Sequence, residues 1–171
     1  MEKITLKLFE FYNLDAELNG VVNQQTGEKV FSGLVQEKLP LSVKYWLNSL
    51  AKTVKEEKTA IEDLKNELIK KYGKEDPSTG GISIPMVVDE LDEDGNPIKV
   101  ISEDGKEVTK KKFNPDYQAF EKEFNDLLQT EKELDYKPFS LVDFEKVETS
   151  EIYTTFFKLI KVEESKVVPM N

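Results

Sequence analysis

The chain of 171 residues has no cysteine, no histidine and no arginine; all 24 of its basic residues are lysine. Without cysteine there is no disulfide, thiolate nucleophile or iron–sulfur ligand. Without histidine the usual general base near neutral pH and the commonest transition-metal ligand are missing. Without arginine there is no planar fork to grip phosphate or carboxylate. Carboxylate pairs, lysine, serine and tyrosine remain, so catalysis is disfavoured and not closed off. No residue pattern in the chain points to a catalytic residue, a cofactor or a metal site. No apolar run approaches the roughly 20 residues of a membrane span, and Met1 to Leu6 lacks the apolar stretch of a signal peptide. A formal net charge of −10 argues against direct binding to nucleic acid or to an anionic membrane surface. The expectation is a soluble, intracellular protein.

What is present is periodicity. From Leu41 to Tyr72 the apolar positions Val43, Leu47, Leu50, Val54, Ile61, Leu64 and Leu68 alternate steps of four and three, with a polar skip at Glu57. That is a narrow coiled-coil seam, and it predicts one long helix that needs a partner. Pro40 suits its start, while Lys70, Lys71 and Gly73 suit its end. Asn114-Pro115-Asp116 signals a second helix start. Tyr117, Phe120, Phe124, Leu127 and Leu134 continue a matching seam with a skip at Glu131. Between them, two Asp-Gly turns at 94–95 and 104–105 separate short β-prone runs, predicting a meander. Lys3 to Leu8 alternates as a strand, and Glu10 to Asn19 has helical spacing that stops at Gly20. Lys29 to Gln36 is ambiguous between strand and helical turn. A closing helix is predicted from Thr149, with Ile152, Phe156, Leu159 and Ile160 inward, and 162–171 as a strand or loose tail.

The expected fold is therefore α+β and mainly α. An antiparallel, coiled-coil-like helical hairpin carries a β-meander at its tip on a small mixed base from both termini. One domain spans 1–171, with 82–112 as a protruding acidic subregion.

Three places invite a functional reading. Equal helical distances place Glu131 opposite Glu56 and Glu57, where two buried like charges would need a proton or a cation; pairing with Lys55, Lys58 or Lys132 is the plainer account. The tip holds Asp89, Glu90, Asp92, Glu93, Asp94, Glu103, Asp104 and Glu107 against Lys99 and Lys106, a net −6 over 89–107. Asp92, Asp94, Asn96 and Glu103 fall at calcium-loop positions, but Pro97 stands where that loop needs glycine. These acids read either as solvated turn residues or as a contact surface for a basic protein. Trp46, beside Tyr45, is either core or an interface anchor.

The Lys71-Tyr72-Gly73 helix end, the Asp94-Gly95-Asn96-Pro97 turn, the Phe120 to Leu128 run and the Glu133-Leu134-Asp135 to Pro138 segment together resemble a group of small uncharacterised proteins of tailed phages and prophages. The resemblance implies viral origin and a host-cell cytoplasm, and it transfers no site residue. The functional expectation is a non-catalytic protein acting by protein contact, as an inhibitor of a host factor or an assembly factor. A structural virion component, a small-molecule sponge and an acidic nucleic-acid mimic stand as alternatives. The seam can also close between copies, giving a homo-oligomer.

Overall fold

The structure, a computed structural model, describes residues 1–147 and 153–161. It is a mixed α/β protein. In chain order its elements are β1 (Glu2–Lys7), α1 (Leu8–Asn19), β2 (Val21–Val22), β3 (Lys29–Phe31), a 3-10 turn (Leu34–Gln36) and α2 (Leu41–Tyr72). Then follow β4 (Lys74–Glu75), β5 (Ile82–Ser83), β6 (Val87–Asp89), β7 (Lys99–Ile101), β8 (Glu107–Thr109), β9 (Lys111–Phe113) and α3 (Pro115–Leu128). The chain continues through β10 (Glu131–Tyr136), β11 (Phe139–Ser140), 3-10 turns at Leu141–Phe144 and Phe156–Leu159, and β12 (Ile160–Lys161). Two compact units result: residues 1–61 with the chain from Leu128 onward, and residues 62–127.

The first unit holds the apolar core. α1 buries Phe11, Leu14 and Leu18 completely, and the first part of α2 buries Val43, Leu47, Leu50, Val54 and Ile61. The four-and-three spacing along α2 is thus core-facing through Ile61. Each such side chain contributes about 1.5–3 kcal/mol by leaving water. Phe139, Phe144 and Phe156 form a cluster with ring centroids 5.3–5.9 Å apart. The ambiguous 29–36 segment is both things in turn, a strand and then a 3-10 turn. Gly20 and Gly33 allow it: both have positive φ, and a Cβ on Gly33 would lie 2.3 Å from the Gly20 nitrogen.

One expectation is overturned here. The second seam does not run through Glu131 to Leu134, because α3 ends at Leu128 and 131–136 forms β10. That strand pairs antiparallel with β1 from Glu2↔Tyr136 to Lys7↔Glu131. Leu134 and Tyr136 alternate inward with an exposed Asp135 between them, and a six-residue ladder satisfies the backbone that further helix would have occupied. The spacing of seven from Leu127 to Leu134 fits a helix, and pairing with β1 decided for the strand instead. The closing helix predicted from Thr149, including Ile152, begins outside the described residues. Within them Phe156 and Leu159 are buried as expected, but on a 3-10 turn followed by β12, which pairs in parallel with β11.

Helix α1 also carries three buried carboxylates. Glu17 accepts the backbone N–H groups of Thr155 at 3.0 Å and Phe156 at 2.6 Å, and the Thr154 hydroxyl at 3.3 Å. Asp15 receives Lys58 and the Asn19 amide, both at 2.7 Å. Glu10 accepts the Lys7 N–H at 2.9 Å and pairs with Lys158. Burial opposes the charge on Glu10, but the Lys158 ammonium and the Lys7 N–H outweigh it and hold the carboxyl below the usual range.

In the 62–127 unit the end of α2 meets α3. Lys71 and Tyr72 both donate to Glu123, at 2.7 and 2.6 Å, and Lys65 sits over the Phe124 ring. Asn114 caps α3 by accepting the Asp116 N–H and fastens its start by donating to the Pro85 carbonyl. The strands do not follow one another as a meander would. β6 pairs with β9 and encloses the β7·β8 hairpin, while β4 pairs with β5.

Two outcomes are expected. Glu17→Ala leaves two buried N–H groups without an acceptor and should cost about 2–4 kcal/mol in urea unfolding, with Glu17→Gln losing less; equal stability of both to wild type would contradict the role. The contribution of Glu10, whose folded pKa is depressed, is present above the ordinary glutamate pKa and lost as pH falls through the folded value. The gap in urea midpoint between wild type and Glu10→Gln should therefore narrow as pH falls from neutrality through the acid range.

Candidate functional site

The strands of the 62–127 unit meet at a three-way backbone junction. Glu90 N–H donates to the Lys110 carbonyl, Lys110 N–H to Ile98, and Ile98 N–H to Glu90, at 2.7–2.8 Å. Three two-stranded arms leave it: the β6·β9 ladder, the 91–97 turn and the β7·β8 hairpin. In the second arm Asp92 Oδ1 accepts the N–H groups of Asp94 and Asn96 at 3.0 and 2.8 Å, closing the turn on itself. In the third, the Ser102 hydroxyl and Lys106 hold the Asp104 carboxyl below its usual range.

The register separates the acids predicted as a contact surface. Asp89 faces Lys111 at 3.3 Å, Glu90 faces Lys110 at 2.9 Å, Asp104 faces Lys106 and Glu107 faces Lys99, each at 3.3 Å. Asp92, Glu93, Asp94 and Glu103 have no lysine partner among the described residues. Over 82–112 there are eight carboxylates and five lysines, a net −3. The folded strands bring Lys110 and Lys111 against acids that looked uncompensated in sequence. What stays unneutralised is concentrated in the turn at Asp92, Glu93 and Asp94.

Trp46 and Tyr45 lie elsewhere, near the start of α2. They stack edge to face at 5.1 Å. Tyr45 is 66% exposed, and Trp46 lines a shallow hollow with Val43, Pro138 and Phe139. Trp46 belongs to the first unit and the strand arms to the second. The proposed meeting of Glu131 with Glu56 and Glu57 is also overturned: Glu131 stands opposite Lys7 in the β1·β10 ladder, and Glu57 is paired with Lys132. A lysine therefore neutralises the glutamate at the skip, the less costly solution for a half-buried acid.

Sequence reasoning missed the open β-edge of this unit. Bonds from Lys110 to Ile98 and from Ser102 to Lys106, with the Val100↔Val108 register, place the even residues of 106–110 toward β7. Bonds from Glu90 to Lys110 and from Asn114 to Met86 place the even residues of 110–114 toward β6. The N–H and C=O groups of Glu107, Thr109, Lys111 and Phe113 therefore all point to one continuous edge that is unpaired among the described residues. Only the pairing register reveals it, so composition and turn signals gave no hint. Nearby, Met86, Leu91, Ile101 and Phe113 are each more than half exposed. Among the described residues of this unit the buried side chain is that of Asn114.

A hollow of about 130 Å³ in the first unit, lined by Leu34, Phe144, Tyr153 and Phe156 among others, is below the roughly 300 Å³ of an ordinary small-molecule site. No helix among the described residues is long and apolar enough to cross a membrane. No family model, curated protein or solved structure matches this chain.

Two-stranded ladders with no buried apolar side chain open easily. In dilute protein the ladder amides of β1 and β10 should exchange with deuterium on the order of tenfold or more slowly than those of 87–113. Equal protection would show that the strand arms are held by more than these ladders.

Proposed function

We propose that this is a non-catalytic protein that acts by protein–protein contact through its 62–127 unit. In this reading it is encoded by a tailed phage, works in the host cytoplasm, and serves as an inhibitor of a host factor or as an assembly factor. The end of α2 and α3 are read as a helical hairpin that presents the strand arms.

The observation that carries the reading is the absence of a buried apolar side chain among the described residues of that unit, set beside the open edge and the exposed Met86, Leu91, Ile101 and Phe113. Exposed apolar side chains on a unit with no buried apolar side chain beneath them suit a surface that a partner covers. The unneutralised acids of the 92–94 turn supply a charged border of the kind that orients a basic partner. The composition supports the non-catalytic part, since histidine, cysteine and arginine are absent.

The test is capture of host-lysate proteins by the tagged full chain and by an Asp92→Asn, Glu93→Gln, Asp94→Asn variant, at low and moderate salt. Asparagine at 92 keeps the acceptor that closes the turn. One protein should be retained in stoichiometric amount by wild type, lost as salt rises because exposed charges are screened over about 8 Å, and lost in the variant. Recovery of nothing beyond copies of the chain itself would overturn the inhibitor reading and leave a structural role in a virion.

A further inference from the structure

We propose that the Glu107–Phe113 edge pairs with the same edge of a second copy, antiparallel about a two-fold axis centred on Thr109. The proposal rests on the reading of the 62–127 unit as a contact unit and names the occupant of its open edge, leaving the acidic 92–94 turn to the host partner.

An edge that pairs with itself must be self-complementary, since an isologous contact sets each residue against its mirror position. The outward-bonding residues are odd-numbered, so only registers that match odd with odd are available. Centring on Thr109 sets Glu107 against the second copy's Lys111 twice over, with Val108 against Lys110 and Thr109 against itself. Opposite charges and threonine pairs directly across a ladder are favourable. Shifting the centre to 110 or 111 sets Lys110 or Lys111 against itself; shifting it to 108 sets Lys106 against Lys110 near the middle of the ladder and leaves Asp104, in the hairpin turn, as the acid opposite a lysine, Lys112.

Lysines on a β-edge ordinarily discourage indiscriminate pairing. Here the run Lys110-Lys111-Lys112 penalises the neighbouring registers and leaves one favoured. The like-charge pair that remains, Lys112 against Lys106, falls at the ends of the ladder, where Asp104 lies 3.3 Å from Lys106. Phe113, 64% exposed, falls at the second copy's Gly105, where open space lies around the position of an added Cβ. The other free edges fit less well. The 87–91 edge centres on Asp89, which would face its own copy, and the 97–101 edge begins at Pro97, which has no N–H. Pairing also turns two-stranded ladders, marginal alone, into a four-stranded sheet.

The test is sedimentation velocity of the full chain over about 1–200 µM, the range in which an association of this size would show. Wild type, E107K, K111E and an equimolar mixture of the two variants are compared. Both side chains are exposed, and circular dichroism checks that each variant is folded. Wild type should dimerise. Each single variant should lose self-association by on the order of tenfold or more, because both charge pairs become repulsive. The mixture should recover it, since the E107K edge then carries only lysine and the K111E edge only glutamate at the matched positions. A wild type that stays monomeric throughout, single variants that associate like wild type, or a mixture that does not recover would each overturn the pairing. Failure of the contact reading itself would show in the lysate capture and not in the ultracentrifuge.

Discussion

The carboxylate of Glu17 accepts two backbone N–H groups from a segment more than 130 residues away, and it does so buried. A buried charge is costly unless its hydrogen-bonding capacity is filled, so this contact holds only while residues 154–156 stay in place. The same helix sends Glu10 to Lys158 and Asp15 to Lys58. Helix α1 thus buries apolar residues and acids together. Its leucines and Phe11 supply the driving force for packing, while its acids specify which segments may pack there.

The 62–127 unit is held on a different principle. Its backbone bonds close a ring at Glu90, Ile98 and Lys110, and its lysines answer its acids across the strands. Exposed ion pairs and two-stranded ladders contribute little each. The geometry is specified by turns and register, and apolar surface is left facing outward. In the proposed contact role, a partner would supply the burial that these residues lack in the single chain.

Much of the helical framework was legible because it rests on local signals. The 41–72 helix carries its seam, its preceding proline and its terminal lysines and glycine within its own residues, and Asn114-Pro115 marks the start of α3. The strand at 131–136 was not legible. Leu134 sits at helical spacing from Leu127, and only the six-residue ladder offered by β1 makes the extended form preferable. The buried role of Glu17 was hidden for the same reason, since the groups that donate to its carboxylate come from 154–156.

By itself the sequence determined which side-chain chemistries are absent, the helix at 41–72, the start of the helix at Pro115 and the positions of the turns, because composition, periodicity and turn propensity are properties of neighbouring residues. Tertiary structure decided which strands pair, which acids meet lysines and which edge is left open. Those depend on register between distant segments. Lys110 and Lys111 could not be set against Glu90 and Asp89, nor could the odd residues of 107–113 be turned outward, until the strands had chosen their partners.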